Sequence, residues 1–167
     1  MSKWIFVLDI RVLDRNEWPT LRDIRLAALR ESPGSFLATY EQELGYRDER
    51  WQAEFTRGSW NIGFLEGDPI SLLGVTREPG QPQQECFIEY LWVAEKQRGS
   101  GFGLFMLGTI LKRLQADGVR TVFLWVLDRN RGAVRFYERA GFVSTNLRQP
   151  LADRPGQNEE RMKLHLG

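Results

Sequence analysis

Between Val93 and Leu104 an apolar run enters a glycine-rich turn and leaves it as an amphipathic helix, and this junction restricts the fold more than any other stretch. The turn reads Arg98-Gly99-Ser100-Gly101-Phe102-Gly103, with glycine at alternate positions. Glycine accepts positive φ and allows close approach of the backbone to a ligand. The first N–H groups of a helix lack intrahelical partners and point outward with the positive end of the dipole. Such a junction can seat an anionic phosphate, and Arg98 can add a charge-assisted bond. A tight strand–helix turn without a ligand is the simpler reading of the same residues. The dinucleotide fingerprint G-x-G-x-x-G and the P-loop G-x-x-x-x-G-K-[ST] both fit poorly, because the spacing is G-x-G-x-G and no Lys-Ser or Lys-Thr pair follows.

The elements around the junction can be read from periodicity. Residues 4–13 alternate and predict a strand. A helix is expected from Asn16 to Arg30, with Pro19 in its first turn and Leu21, Ile24 and Ala28 on one face. Tyr46–Phe55 reads as a short helix with Trp51 and Phe55 at i,i+4 spacing. Trp60–Leu65, Ile70–Thr76 and Cys86–Val93 read as three strands in an antiparallel meander, separated by turn signals. Gly101–Asp117 predicts a helix with Leu104, Leu107, Leu111 and Leu114 along its apolar face. Thr121–Leu127 is apolar enough for a strand covered on both faces. Asn130–Ala140 predicts a helix, and Phe142–Asn146 and Glu160–Leu166 the last strands. The order predicts an α/β fold with a mixed sheet and helices on both faces. At 167 residues the chain is expected to form one domain, residues 1–167.

Composition removes several classes. A net charge of +1 makes no electrostatic case for nucleic acid or a lipid surface. One cysteine, Cys86, excludes an intrachain disulfide and a Cys-based metal cluster. One histidine, His165, excludes a multi-His zinc site and makes a His-dependent triad an unpromising reading, so no metal is expected. No run approaches the roughly 20 apolar residues of a membrane span, so a reducing cytoplasm is the expected location.

Two segments resemble the GNAT acetyltransferases. Arg98-Gly99-Ser100-Gly101-Phe102-Gly103 satisfies that family's [QR]-x-x-G-x-[GA] loop, and Leu91-Trp92-Val93 looks like its fourth strand. Downstream, Asn130, Ala133, Tyr137, Gly141 and Phe142 fit N-x-x-A-x-x-x-Y-x-x-x-G-F. The terminal Glu160-Arg161-Met162 with Leu164 and Leu166 looks like the family's last strand. The resemblance spans the chain and is densest from Phe87 to Phe142.

What the resemblance implies is a mostly antiparallel sheet of six to seven strands that splays between the fourth and fifth. Acetyl-coenzyme A is then the co-substrate and an amine, small molecule or peptide, the acceptor. The main chain of Leu91, Trp92 and Val93 would pair with pantetheine, and the amides of Arg98, Gly99, Ser100, Gly101, Phe102 and Gly103 would cradle the pyrophosphate. Asn130 and Ala133 would also border the cofactor. Tyr137 would protonate the departing thiolate. Glu89, a carboxylate inside the apolar run Phe87–Val93, is the first candidate for the general base, with Glu41 and Glu43 behind it. Many relatives pair through terminal strands, which makes a homodimer an expectation. An acyl-coenzyme A-binding regulatory module without catalysis is the alternative use of the same fold.

Overall fold

The computed structural model describes residues 7–167. Seven strands form a mixed sheet in the order β1-β2-β3-β4-β5-β7-β6: β1 Asp9–Val12, β2 Gly58–Leu65, β3 Asp68–Thr76, β4 Glu85–Val93, β5 Thr121–Leu127, β6 Val143–Pro150 and β7 Asn158–His165. Five helices accompany them: α1 Trp18–Glu31, α2 Tyr40–Leu44, α3 Asp48–Arg57, α4 Phe102–Ala116 and α5 Arg131–Arg139. The part of the first expected strand before Val7 lies outside the described residues. By their contacts the described residues divide into two units. One runs to Val75 and takes in Tyr90–Leu107, and the other comprises Thr76–Glu89 and Gly108–Gly167.

In the first unit β1 lies antiparallel to β2, with Asp9 opposite Phe64 and Val12 opposite Asn61. A single 3-10 turn, Arg15–Glu17, leads into α1. Its start is fixed by Asp14, whose side chain accepts the Asn16 N–H at 2.9 Å while Glu17 accepts the Asp14 N–H at 2.8 Å. Pro19 then enters the first turn of α1, where its missing N–H costs nothing. The buried face of α1 carries Leu21, Ile24, Ala28 and Leu29, the large side chains each gaining about 1.5–3 kcal/mol from leaving water. Leu21, Ile24 and Ala28 pack with Leu13, Trp60, Ile62, Leu72 and Trp92, flanked by Phe36, Phe55, Phe64 and Tyr90. Trp60 fills the space in front of Gly74, where a Cβ would stand 2.7 Å from its ring. Helix α3 is seated through Trp51, fully buried, and through Phe55.

In the second unit β5 pairs antiparallel with β7 from Thr121–His165 to Leu127–Glu159, and β6 pairs antiparallel with β7 across an irregularity between Ser144 and Arg148. On its other edge β5 runs parallel to β4, and the pairing covers Glu85, Cys86 and Phe87 against Thr121, Val122 and Phe123. A parallel contact this short, at one end of nine- and seven-residue strands, fits a sheet that splays between β4 and β5.

Two expectations need correction. Val122, Leu124 and Val126 are buried, but Phe123 and Trp125 are only half-buried, so β5 is not covered equally on its two faces. In α4 the buried stripe is Met106, Leu107, Ile110 and Leu114, while Leu104 is exposed; the sequence pattern weighted leucine over methionine and isoleucine.

Candidate active site

Strand β4 ends at Val93, and the next residues are tied back at once. The Ala94 N–H donates to the Ile70 carbonyl at 2.8 Å, and a 3-10 turn, Glu95–Gln97, delivers the chain to Arg98. The Arg98 Nε donates to the Val93 carbonyl at 2.8 Å, and Nη2 reaches Ser32 Oγ at 2.9 Å and Glu31 Oε2 at 3.2 Å. The other Glu31 oxygen accepts the Glu95 N–H at 3.0 Å. The guanidinium expected at a phosphate is therefore engaged inside the protein, fastening the glycine turn to the end of α1.

Gly99 and Gly101 adopt φ of 76° and 83°, a region that costs an ordinary residue about 1–2 kcal/mol. A Cβ at either position meets nothing within 4 Å, so the turn opens on free space. The Gly101 carbonyl accepts the Phe105 N–H at 3.0 Å and thereby starts the 15-residue α4. The first-turn amides, those of Phe102 and Gly103 among them, have no intrahelical acceptor and lie at the positive end of the helix dipole. Leu91, Trp92 and Val93 belong to the same unit, with Trp92 buried and its two neighbours half-buried.

Glu89, Asn130, Ala133 and Tyr137 belong to the second unit. Asn130 caps α5, its side-chain oxygen accepting the Ala133 N–H at 3.2 Å. Tyr137 is half-buried, with its ring edge-on to Phe136 at 5.3 Å and to Phe142 at 5.6 Å. Burial pushes its phenol well above the ordinary tyrosine value, so it holds its proton throughout the neutral range. Glu89 is half-buried in β4. Among the described residues no group of three or more His, Cys, Asp or Glu side chains could hold a metal ion, and no helix is long and apolar enough to cross a membrane.

A buried ionic cluster in the first unit was not anticipated. Arg25, 2% exposed, pairs through Nε and Nη2 with the Glu43 carboxylate and through Nη1 with Glu54 Oε2 at 3.2 Å. Glu54 also takes Arg50 at 3.1 Å and Arg57 at 2.7 Å. Burial by itself works against the Arg25 charge, yet the neighbouring Tyr90, Glu43 and Glu54 outweigh it and hold the guanidinium above its usual range. Glu43, a candidate base by sequence, is thus committed to Arg25, and Glu41 is exposed. The available sequence signal was Arg25 itself, a charge on the otherwise apolar Leu21–Ile24–Ala28 face of α1.

A profile of the acetyltransferase (GNAT) family matches residues 18–142. The chain belongs to this family. The match takes in α1, the glycine turn and α5, and therefore both motifs. Among curated proteins, the uncharacterized N-acetyltransferase YycN of Bacillus subtilis is 32% identical over 88 residues, 53% of this chain and 56% of that protein. The chain thus spans little more than half the length of the curated relatives it matches first. A GNAT-family acetyltransferase structure from Streptococcus pneumoniae superposes with a TM-score of 0.79 at 17% identity, covering 96% of this chain and all of that one. The yncA structure from Salmonella typhimurium, solved with its cofactor acetyl-CoA, superposes with a TM-score of 0.71 at 13% identity over 96% and 95% of the two chains. At these identities the structures speak for the GNAT fold alone.

Proposed function

We propose that this GNAT chain is an N-acetyltransferase that moves the acetyl group of acetyl-coenzyme A directly to a primary amine, working as one domain in the cytoplasm. The observation that carries the reading is the pair of left-handed glycines, Gly99 and Gly101, open in front and placed at the head of α4 directly after β4. The yncA relative with acetyl-CoA supports the choice of donor.

In this reading the amides from Arg98 to Gly103 hold the pyrophosphate. The main chain of Leu91, Trp92 and Val93 receives pantetheine, and Asn130 and Ala133 border the cofactor. The neutral amine attacks the thioester carbonyl carbon, a backbone N–H of β4 stabilises the developing oxyanion, and the carbon–sulfur bond breaks. Tyr137, whose buried phenol is protonated at neutral pH, protonates the departing thiolate. Before attack the substrate ammonium gives one proton, through water, to Glu89; after attack the nitrogen sheds its second proton, through water, to the Tyr137 phenolate and restores the acid.

The test is a panel of small amines and peptide N-termini incubated with acetyl-coenzyme A, with free thiol as the readout. Release above background with at least one acceptor supports the enzyme. Tight acetyl-coenzyme A binding with no release across the panel overturns catalysis in favour of an acyl-coenzyme A-binding module. Gly101→Val tests the seat, because a β-branched residue at φ of 83° must distort the turn. Loss of acetyl-coenzyme A binding by calorimetry is expected, and unchanged affinity would refute the loop assignment.

A further inference from the structure

Tyr90 interrupts β4 with a φ of 57°, a conformation that bulky side chains in strands avoid. Something must hold it there, and the first unit shows what does. Its hydroxyl accepts a hydrogen bond from Arg25 Nη2 at 2.9 Å and donates one to Glu43 Oε1 at 3.2 Å. Its ring stacks on Phe36 at 5.5 Å with 15° between the planes, and meets Trp60 edge-on at 5.8 Å. The Arg25 guanidinium lies 4.1 Å from the ring centroid. One side chain is thereby fixed from α1, from the segment before α2, from α2 itself and from β2.

A buried ion pair is a poor source of net stability, since desolvation offsets most of its attraction. Apolar side chains could have filled the same space. What the Arg25–Glu43 pair supplies is a hydrogen-bond donor and an acceptor at one point in the interior. Both are used on the hydroxyl of the residue whose backbone departs from the strand. A left-handed residue reorients the peptides that follow it, and the residues that follow are Leu91, Trp92 and Val93.

We propose that Tyr90 is a positioning residue for the donor seat: held by Arg25 and Glu43, it sets the direction in which the main chain of Leu91–Val93 presents its hydrogen-bonding groups to acetyl-coenzyme A. This rests on the acetyltransferase reading above. Arg25 and Glu43 act through Tyr90 and touch no reacting atom. Replacing Tyr90 with Phe removes the hydroxyl but leaves ring, volume and the Arg25–Glu43 pair in place, so the fold is retained.

The experiment compares wild type and Tyr90→Phe by amide hydrogen exchange of the free protein and by acetyl-coenzyme A calorimetry. Exchange at Leu91, Trp92 and Val93 is expected to quicken several-fold, with affinity for acetyl-coenzyme A about tenfold weaker. Glu43→Gln should weaken affinity similarly, and the double variant no further than the weaker single one, as for residues acting through one contact. Wild-type exchange at these three amides in Tyr90→Phe overturns the proposal. Quickened exchange in a protein whose wild type binds no acetyl-coenzyme A overturns the donor reading while leaving the hold of Tyr90 on the strand in place.

Discussion

Arg98 donates from Nε to the carbonyl of Val93 at 2.8 Å, so the residue that opens the glycine turn also clasps the end of the strand before it. The same guanidinium reaches Glu31 and Ser32. The Arg98 and Glu31 side chains are 46% and 28% exposed, and an ion pair so open to water contributes less than about 1 kcal/mol. Its worth is geometric: it sets where the turn sits against α1. Arg98→Ala is therefore expected to lower the melting temperature by no more than a few degrees while weakening acetyl-coenzyme A several-fold, checked by calorimetry and thermal unfolding on one preparation.

Tyr137→Phe should reduce kcat by about a hundredfold, the lower range of general-acid contributions, with acetyl-coenzyme A affinity within twofold. Because burial raises the Tyr137 phenol above its ordinary value, the wild-type rate should show no falling limb from this group up to pH 9. A retained rate in Tyr137→Phe would remove it as the acid.

Cys86 is fully buried, and desolvation pushes its thiol up to about 11 from an ordinary 9.0. The folded chain keeps this proton in a range where the unfolded chain has lost it. Its contribution to stability is thus complete below pH 9 and is lost as pH rises towards 11. Denaturant unfolding should show a midpoint that falls over that window, and Cys86→Ala should flatten the fall. Native protein at pH 8 should resist alkylation that proceeds readily in urea.

Arg25→Met should destabilise the fold by about 3–5 kcal/mol, because it strands the buried Glu43 carboxylate without its cation. Glu54 keeps Arg50 and Arg57, so Arg25→Met combined with Glu43→Leu should recover much of the loss. Urea midpoints for the two variants decide this.

Much of this architecture is legible in the residues themselves. Thr121–Leu127 is bounded as the strand the apolar run predicts, and α4 and α5 lie within a residue of the expected limits, Asn130 serving as the cap. Helix α2 escapes a periodicity reading because five residues make barely one turn; Thr39 and Gln42, which cap each other, are its only signature. Strand β6 runs on from Asn146 to Pro150 with hardly a buried residue, as an edge strand can, so no alternation marks it. At the site the glycine turn is readable because only glycine accepts those φ values cheaply. Nothing local announces the left-handed Tyr90, whose conformation is imposed by partners 65 and 47 positions away in the chain.

Helix α1 carries Arg25 on one turn and Glu31 near its end, and through them it grips both Tyr90 and Arg98. For anyone redesigning this chain, α1 and the glycine turn form one cassette. Replacing either segment without the other breaks the Arg98 contacts to Glu31 and Ser32 that set where the turn sits.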